Sequence, residues 1–202
     1  MPINHREKAF EDSIEDSLLL NGGYIKGNPN DYYKELALIP TELFQFIEDT
    51  QVKVWDELRT IHKDRLEVVF LDSLVKNLET RGTLDLLRHG FKFYGKLIKL
   101  AYFAPTHNLN PDILDLYNKN RMTLTRQVRY STENENSIDL LITLNGLPVA
   151  TLELKNHLTG QTVEDAKRQY KRNRDPREKL FQFKRGALVH FAVDPDEVYM
   201  TT

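Results

Sequence analysis

The stretch DLLITLNGLPVATLELKN, residues 139–156, decides the fold. Two apolar runs flank Asn145-Gly146, the strongest short signal for a hairpin turn. The second run ends in Glu153-Leu154-Lys155, two opposite charges one residue apart, and the first begins with Asp139. A hairpin needs none of the three. A two-residue turn pairs Leu144 with Leu147, sets Asp139 opposite Leu152 and turns Glu153 to the other side. A three-residue loop pairs Leu144 with Pro148 and Asp139 with Glu153. Only the second gives one wholly apolar face, made of Leu140, Ile142, Leu144, Ala150, Leu152 and Leu154. Asp139, Leu141, Thr143, Val149, Thr151, Glu153 and Lys155 then share the other. A one-residue slip reverses every side chain, so the pattern predicts the three-residue loop.

That register brings two carboxylates and one ammonium together, with opposed Cβ atoms roughly 5 Å apart. Such a pair suits a divalent cation. Mg²⁺ takes hard oxygen ligands and is commonly held by one or two carboxylates plus waters. The backbone carbonyl of Leu154 offers a third oxygen. Lys155 is placed to hold or deprotonate an attacking water, or to stabilise charge building on phosphorus. The bland alternative is a strand end with a cross-strand ion pair worth about 0.2–1 kcal/mol. Acid-x-Lys alone does not decide, since Asp165-Ala166-Lys167 repeats it on a predicted helix. Asp139 at matching register leaves both readings open.

Outward from the hairpin, strands predominate from about Met122: TLTRQVRY, the hairpin itself, GALVHFAV and VYMTT. One helix interrupts them, in TVEDAKRQYKRNRD, where Thr162 and Asp165 have capping-box spacing. Val163, Ala166 and Tyr170 line its apolar edge, and Lys167, Arg168, Lys171, Arg172 and Arg174 decorate the rest. Before Met122 the chain reads mainly as helices. Phe10, Ile14 and Leu18 form a stripe ended by Gly22-Gly23, Thr41 stands as an N-cap, and Thr83 caps a short helix ending at Gly90. FKFYGKLIKLAYF reads as strand, and Pro111-Asp112 as a helix start. The order implies an α/β fold, a mixed central sheet flanked by helices, with an additional N-terminal helical part. The division is residues 1–90, mainly helical, and 91–202, the sheet and crossover helix, within a single domain.

The 202 residues are 40% hydrophobic and 29% charged, and carry a net charge of -2. With no cysteine, disulfides and thiolate metal sites are excluded, which fits a cytoplasmic protein. No apolar run approaches a membrane span, and MPINHREKAFED lacks a signal-peptide core. Nothing global announces nucleic acid, yet residues 165–185 hold nine Lys/Arg against three Asp/Glu. A local basic patch permits a DNA-binding face, while a charged helix face is also ordinary solvated surface. His157 and His190 have no partner at ligand spacing, so His190 reads as a packing histidine. Glu11 reads as solvated surface. Glu15, one turn on, is a candidate to lean toward the metal if its helix packs by the sheet.

Asp139 followed by Glu153-x-Lys155 on a hairpin flanked by helices resembles the PD-(D/E)xK nuclease superfamily. NSIDLLITLNGLPVATLELKN, GQTVEDAKRQYKRNRDPRE and LVHFAVDPDEVYMTT look like the N-terminal endonuclease region of type I restriction enzyme R subunits, most closely from about residue 121 to the end. The resemblance implies a restriction-endonuclease-like core and a Mg²⁺-dependent endonuclease (Mn²⁺ able to substitute) that hydrolyses phosphodiester bonds of double-stranded DNA. It makes Asp139 and Glu153 the metal-binding acids and Lys155 the catalytic lysine. It brings Glu15 and Tyr170 near the site, and offers Lys167, Arg168, Lys171 and Arg172 as phosphate contacts. The family's helix often pairs a Gln with a Tyr four residues on. Here Ala166 stands where the Gln would be, and Ile138 stands where the motif has proline. The resemblance also implies a longer subunit, as the strand-like end suggests. Its helicase-like motor would use ATP, for which this chain has no G-x-x-x-x-G-K-[ST] loop. Partners would be the modification and specificity subunits. The rival readings are a non-catalytic nuclease-like docking or DNA-binding module and a stand-alone repair nuclease of the same superfamily.

Overall fold

A computed structural model describes residues 5–106, 110–157 and 160–202, with side chains from residue 8 onward. Among these residues the chain is α/β, built on a mixed six-stranded sheet in the order β1-β4-β5-β6-β7-β8. The strands are β1 (Ile25–Lys26), β4 (Met122–Arg129), β5 (Ser137–Leu144), β6 (Leu147–Leu154), β7 (Val189–Val193) and β8 (Val198–Thr201). The central pairs β4/β5 and β5/β6 are antiparallel, and β1 joins β4 in parallel. β7 lies parallel to β6, reached through helix α7 (Val163–Asn173) as the strand–helix–strand order predicts. The capping box of Thr162 and Asp165 starts that helix.

The hairpin corrects the expected loop. Leu144 pairs with Leu147 across a two-residue turn, in which Asn145 and Gly146 have φ of 51° and 80°. Both positive angles make the primed turn whose twist matches the strands. Gly146 has no alternative there, because a Cβ would sit 2.3 Å from the Ile39 carbonyl oxygen. Thr143 then faces Pro148, and one extra residue enters before Ile142 pairs with Ala150. This bulge falls beside Pro148, which has no N–H for the ladder. A two-residue turn plus one bulged residue offsets the strands as a three-residue loop does. Leu140 therefore pairs with Leu152, and the register carries Asp139 to the position facing Glu153.

Both sheet faces are covered. Helix α1 (His5–Asn21) lays Phe10, Ile14 and Leu18 against Leu124, Leu140, Ile142, Ala150, Leu152 and Leu154. Leu144, beyond the bulge, packs with the helical core instead. The face expected to be polar is also interior. Leu141, Thr143, Thr151 and Glu153 have no exposed surface, and Leu141 joins Tyr32, Ile39, Tyr130 and Leu180 in a second cluster beside Tyr170.

Helices α2 (Pro40–Thr50), α3 (Val52–His62), α4 (Leu66–Arg81) and α5 (Thr83–His89) build a separate core around Phe46, Trp55, Phe70, Phe91 and Phe93. The strand expected in FKFYGKLI is present as two short strands, β2 (Phe91–Phe93) and β3 (Lys96–Ile98), paired in a hairpin of their own outside the six-stranded sheet. Thr41 does not cap α2, which starts at Pro40 with Ile39 before it; proline takes the first helical position, where its missing N–H costs nothing. Thr83 lies inside α5, and its hydroxyl donates to the Arg185 carbonyl. Helix α6 (Pro111–Asn118) begins at the predicted Pro111, capped by Asn110. Leu147 belongs to the helical core, and the Ile39 N–H donates to the Gly146 oxygen at 2.9 Å. The helical half thus braces the turn of the β5–β6 hairpin.

Candidate active site

The β5–β6 ladder ends at Leu140–Leu152, and the acids lie one step further. There Asp139 Oδ2 accepts the Leu154 N–H at 2.7 Å, and Oδ1 takes a longer 3.3 Å bond from Gln127 Nε2. Glu153 is wholly buried. Burial pushes its carboxyl up to about 8; the Asp139 charge pushes the same way, and Arg174 and Lys155 pull against them. Among the described residues its buried Oε2 has no hydrogen-bond partner. An orphaned carboxylate oxygen beside a like charge is a costly arrangement that a cation relieves. Lys155 is 9% exposed, and its backbone N–H donates to the Val193 oxygen at 2.8 Å.

A third carboxylate belongs to this group, and it is not the one expected. Glu11 is 6% exposed rather than solvated. Gln127 Nε2 donates to Glu11 Oε1 at 2.9 Å as well as to Asp139, so one amide bridges the two acids. Burial raises the Glu11 carboxyl, and the Asp139 charge adds to the rise. Gln127 can reach both because it has φ of 49°, a conformation that breaks the strand alternation. Before it Leu124 faces α1; after it Val128 joins the opposite cluster. Glu15 does pack by the sheet, but its Oε2 accepts from Lys26 at 3.0 Å and Arg126 at 3.2 Å. Arg126 also binds Glu11 at 2.7 Å and Asp12, gathering the acidic side of α1 onto β4. The oxygens of Glu11, Asp139 and Glu153 do not all lie within 4.8 Å of one another. Asp139 and Glu153 could hold a Mg²⁺, which needs only one or two carboxylates.

Arg174 is the other residue the sequence misplaced. It is 8% exposed, not part of a solvated helix face. Its Nε donates to Glu153 Oε1 at 2.6 Å and a second guanidinium nitrogen reaches the same oxygen. Its remaining donors go to the Tyr130 hydroxyl and the Ser137 carbonyl, each at 2.8 Å. Tyr170 also points to the sheet: its hydroxyl lies 2.9 Å from Thr151 Oγ1, two residues before Glu153. Burial, reinforced by Glu153, lifts its phenol well above the usual range. His190 packs on Tyr170 and Phe181 and meets the same Thr151 hydroxyl at 2.7 Å.

The four basic residues proposed for phosphate divide. Lys167 and Lys171, one turn apart, line a cleft whose walls include Tyr170 and Arg174. Arg168 pairs with Asp165 at 3.0 Å, and Arg172 is exposed. His157 is corrected too: its partners are Asp194 at 2.8 Å and Asp196 at 3.4 Å. They lie 37 and 39 positions away, so local spacing gave no signal. Asp194 accepts from His157 and from the N–H groups of Val163, Asp196 and Glu197. Its oxygens are thus taken up in anchoring the start of α7.

Among the described residues, no helix is long and apolar enough to cross a membrane. No curated protein matches the chain, and no solved structure does. A family model, the type I restriction enzyme R protein N terminus, matches residues 4–202. That span takes in the carboxylates, the lysine and the crossover helix alike, and the chain belongs to this nuclease-related family of R-subunit N-terminal regions.

Proposed function

We propose that this chain is the Mg²⁺-dependent endonuclease domain of a type I restriction enzyme R subunit, with a PD-(D/E)xK core, hydrolysing phosphodiester bonds of double-stranded DNA. The observation that carries the reading is the buried, unpartnered Oε2 of Glu153 beside Asp139, with Lys155 two residues on. Asp139 and Glu153 would hold the metal. The Leu154 carbonyl follows Glu153 directly and is a third candidate ligand. A bound Mg²⁺ supplies a water of lowered pKa and polarises the phosphoryl oxygen. Lys155 offsets negative charge as it builds at phosphorus. Gln127 fixes the Asp139 carboxylate and ties it to Glu11. Tyr170 and Thr151 brace the sheet beside Glu153. Arg172, and Arg168 on leaving Asp165, would contact phosphates, which would fix the duplex without reading bases. In the assembled enzyme, ATP-driven motion and sequence recognition belong to other domains and to the modification and specificity subunits. The substrate would be double-stranded DNA in the cytoplasm.

Titration calorimetry tests the metal. Mn²⁺ should bind the wild-type chain, and Asp139→Ala should abolish that heat while Lys155→Ala keeps it. Equal heats in wild type and Asp139→Ala would favour the rival reading, a nuclease-like docking module without hydrolysis.

A further inference from the structure

The cleft lined by Lys167 and Lys171 encloses about 850 Å³ between α5, α7, β8 and the segment 176–188. Its lining is strongly biased in charge. The one acid, Asp85, is already bound by Arg81 and His89. No described carboxylate pairs with Arg88, Lys171 or Lys184, and all three are exposed. Between these cations stand exposed rings. Phe183 is 78% exposed with Lys184 Nζ 5.7 Å from its centroid, and Tyr199 is 43% exposed with Lys167 Nζ 4.0 Å from its centroid. Arg174 forms part of the wall and also holds Glu153, so the cleft adjoins the carboxylates through a single guanidinium.

We propose that this cleft binds a single strand of nucleic acid, phosphates on Arg88, Lys171 and Lys184 and an unpaired base on Phe183. Cations interleaved with aromatic faces are what sequence-tolerant strand binding requires. A duplex keeps its base faces stacked inside, out of reach of Phe183, whereas an unpaired base offers one. The phosphate charge supplies the complement that the lining lacks. The nucleic-acid class of the ligand rests on the phosphodiesterase reading above, and the strand preference comes from the cleft. The strand so held would lie beside the hydrolytic site, as one strand of a locally opened duplex.

Fluorescence anisotropy of a labelled oligothymidine, in EDTA to prevent cutting, tests this on the 202-residue chain. Replacing Arg88, Lys171 and Lys184 together by alanine should weaken binding at least tenfold. The slope of log K against log salt should fall by about 2, at ~0.7 per lost phosphate contact. Phe183→Ala should weaken it about fivefold or more, the lower end of one base stack. All four side chains are exposed, so the variants should keep the wild-type melt. Mn²⁺ titration of the triple variant keeps the two readings apart: retained metal binding with lost strand binding supports the cleft. Wild-type strand affinity and salt slope in the triple variant would overturn the cleft whatever the metal does. Equal competition by a mononucleotide, by blunt duplex, or by polyglutamate of matched charge would overturn it as well.

Discussion

Asp139→Asn should abolish DNA cleavage by the reconstituted restriction enzyme while raising, not lowering, the melting temperature of the metal-free chain. Asparagine keeps an acceptor for the Leu154 N–H, now bonded at 2.7 Å, and stays within reach of Gln127. What it removes is charge. The Lewis-acid assistance lost with the ion is worth several kcal/mol, and at 1.36 kcal/mol per tenfold that is about 10³-fold or more in rate. The same charge raises the burdened carboxyls of both Glu153 and Glu11. Its removal relieves two buried acids, so the resting fold gains. Plasmid cleavage in Mg²⁺ reads the first effect and a thermal melt in EDTA the second. Cleavage at the wild-type rate would end the case for hydrolysis at Asp139.

The opposition of Asp139 and Glu153 was legible because side-chain parity along a strand is set by hydrophobic pattern alone. The turn was not, because a three-residue loop and a two-residue turn with a bulge share the same parity downstream. Asn145-Gly146 and Pro148 together carried the finer information: a primed turn, then a residue that cannot donate to the ladder. The crossover from β6 through α7 to β7 was readable from the capping box at Thr162 and Asp165. Glu11 was missed because its burial depends on Arg126, 115 positions away. A charged residue in the middle of TLTRQVRY, within a strand otherwise fit for the interior, was the available signal. Arg174 was missed for a related reason. It lies four residues after Tyr170, on the edge already defined by Val163, Ala166 and Tyr170, and so shares the helix face turned to the sheet. Counting it among the surface cations weighed residue type over helical phase.

Arg174→Ala should produce the largest loss of stability of any single change near the site. Its guanidinium is 4% exposed and Glu153 not at all, so the pair is not a surface ion pair. Removing one partner of a buried pair costs about 3–5 kcal/mol, because the other is left desolvated and unmatched. At about 2–4 °C per kcal/mol for a chain of this size, the melt should drop by roughly 6–20 °C. The Tyr130 hydroxyl and the Ser137 carbonyl lose a donor at the same time. Acidity supplies the diagnostic. In the metal-free wild type the Glu153 carboxyl is pushed from 4.5 up to about 8, by burial first and Asp139 second. A raised carboxyl means that the folded state holds its proton more tightly than the unfolded one, so stability falls as pH rises between those values. Arg174 opposes that rise; without it Glu153 climbs further and the decline continues to higher pH. The gap between variant and wild type should therefore widen from pH 6 to pH 9, and adding Glu153→Gln to the variant should narrow it. A gap under about 1 kcal/mol that ignores pH would place this pair with exposed salt bridges, and Arg174 would not be what keeps a buried acid in place beside Asp139.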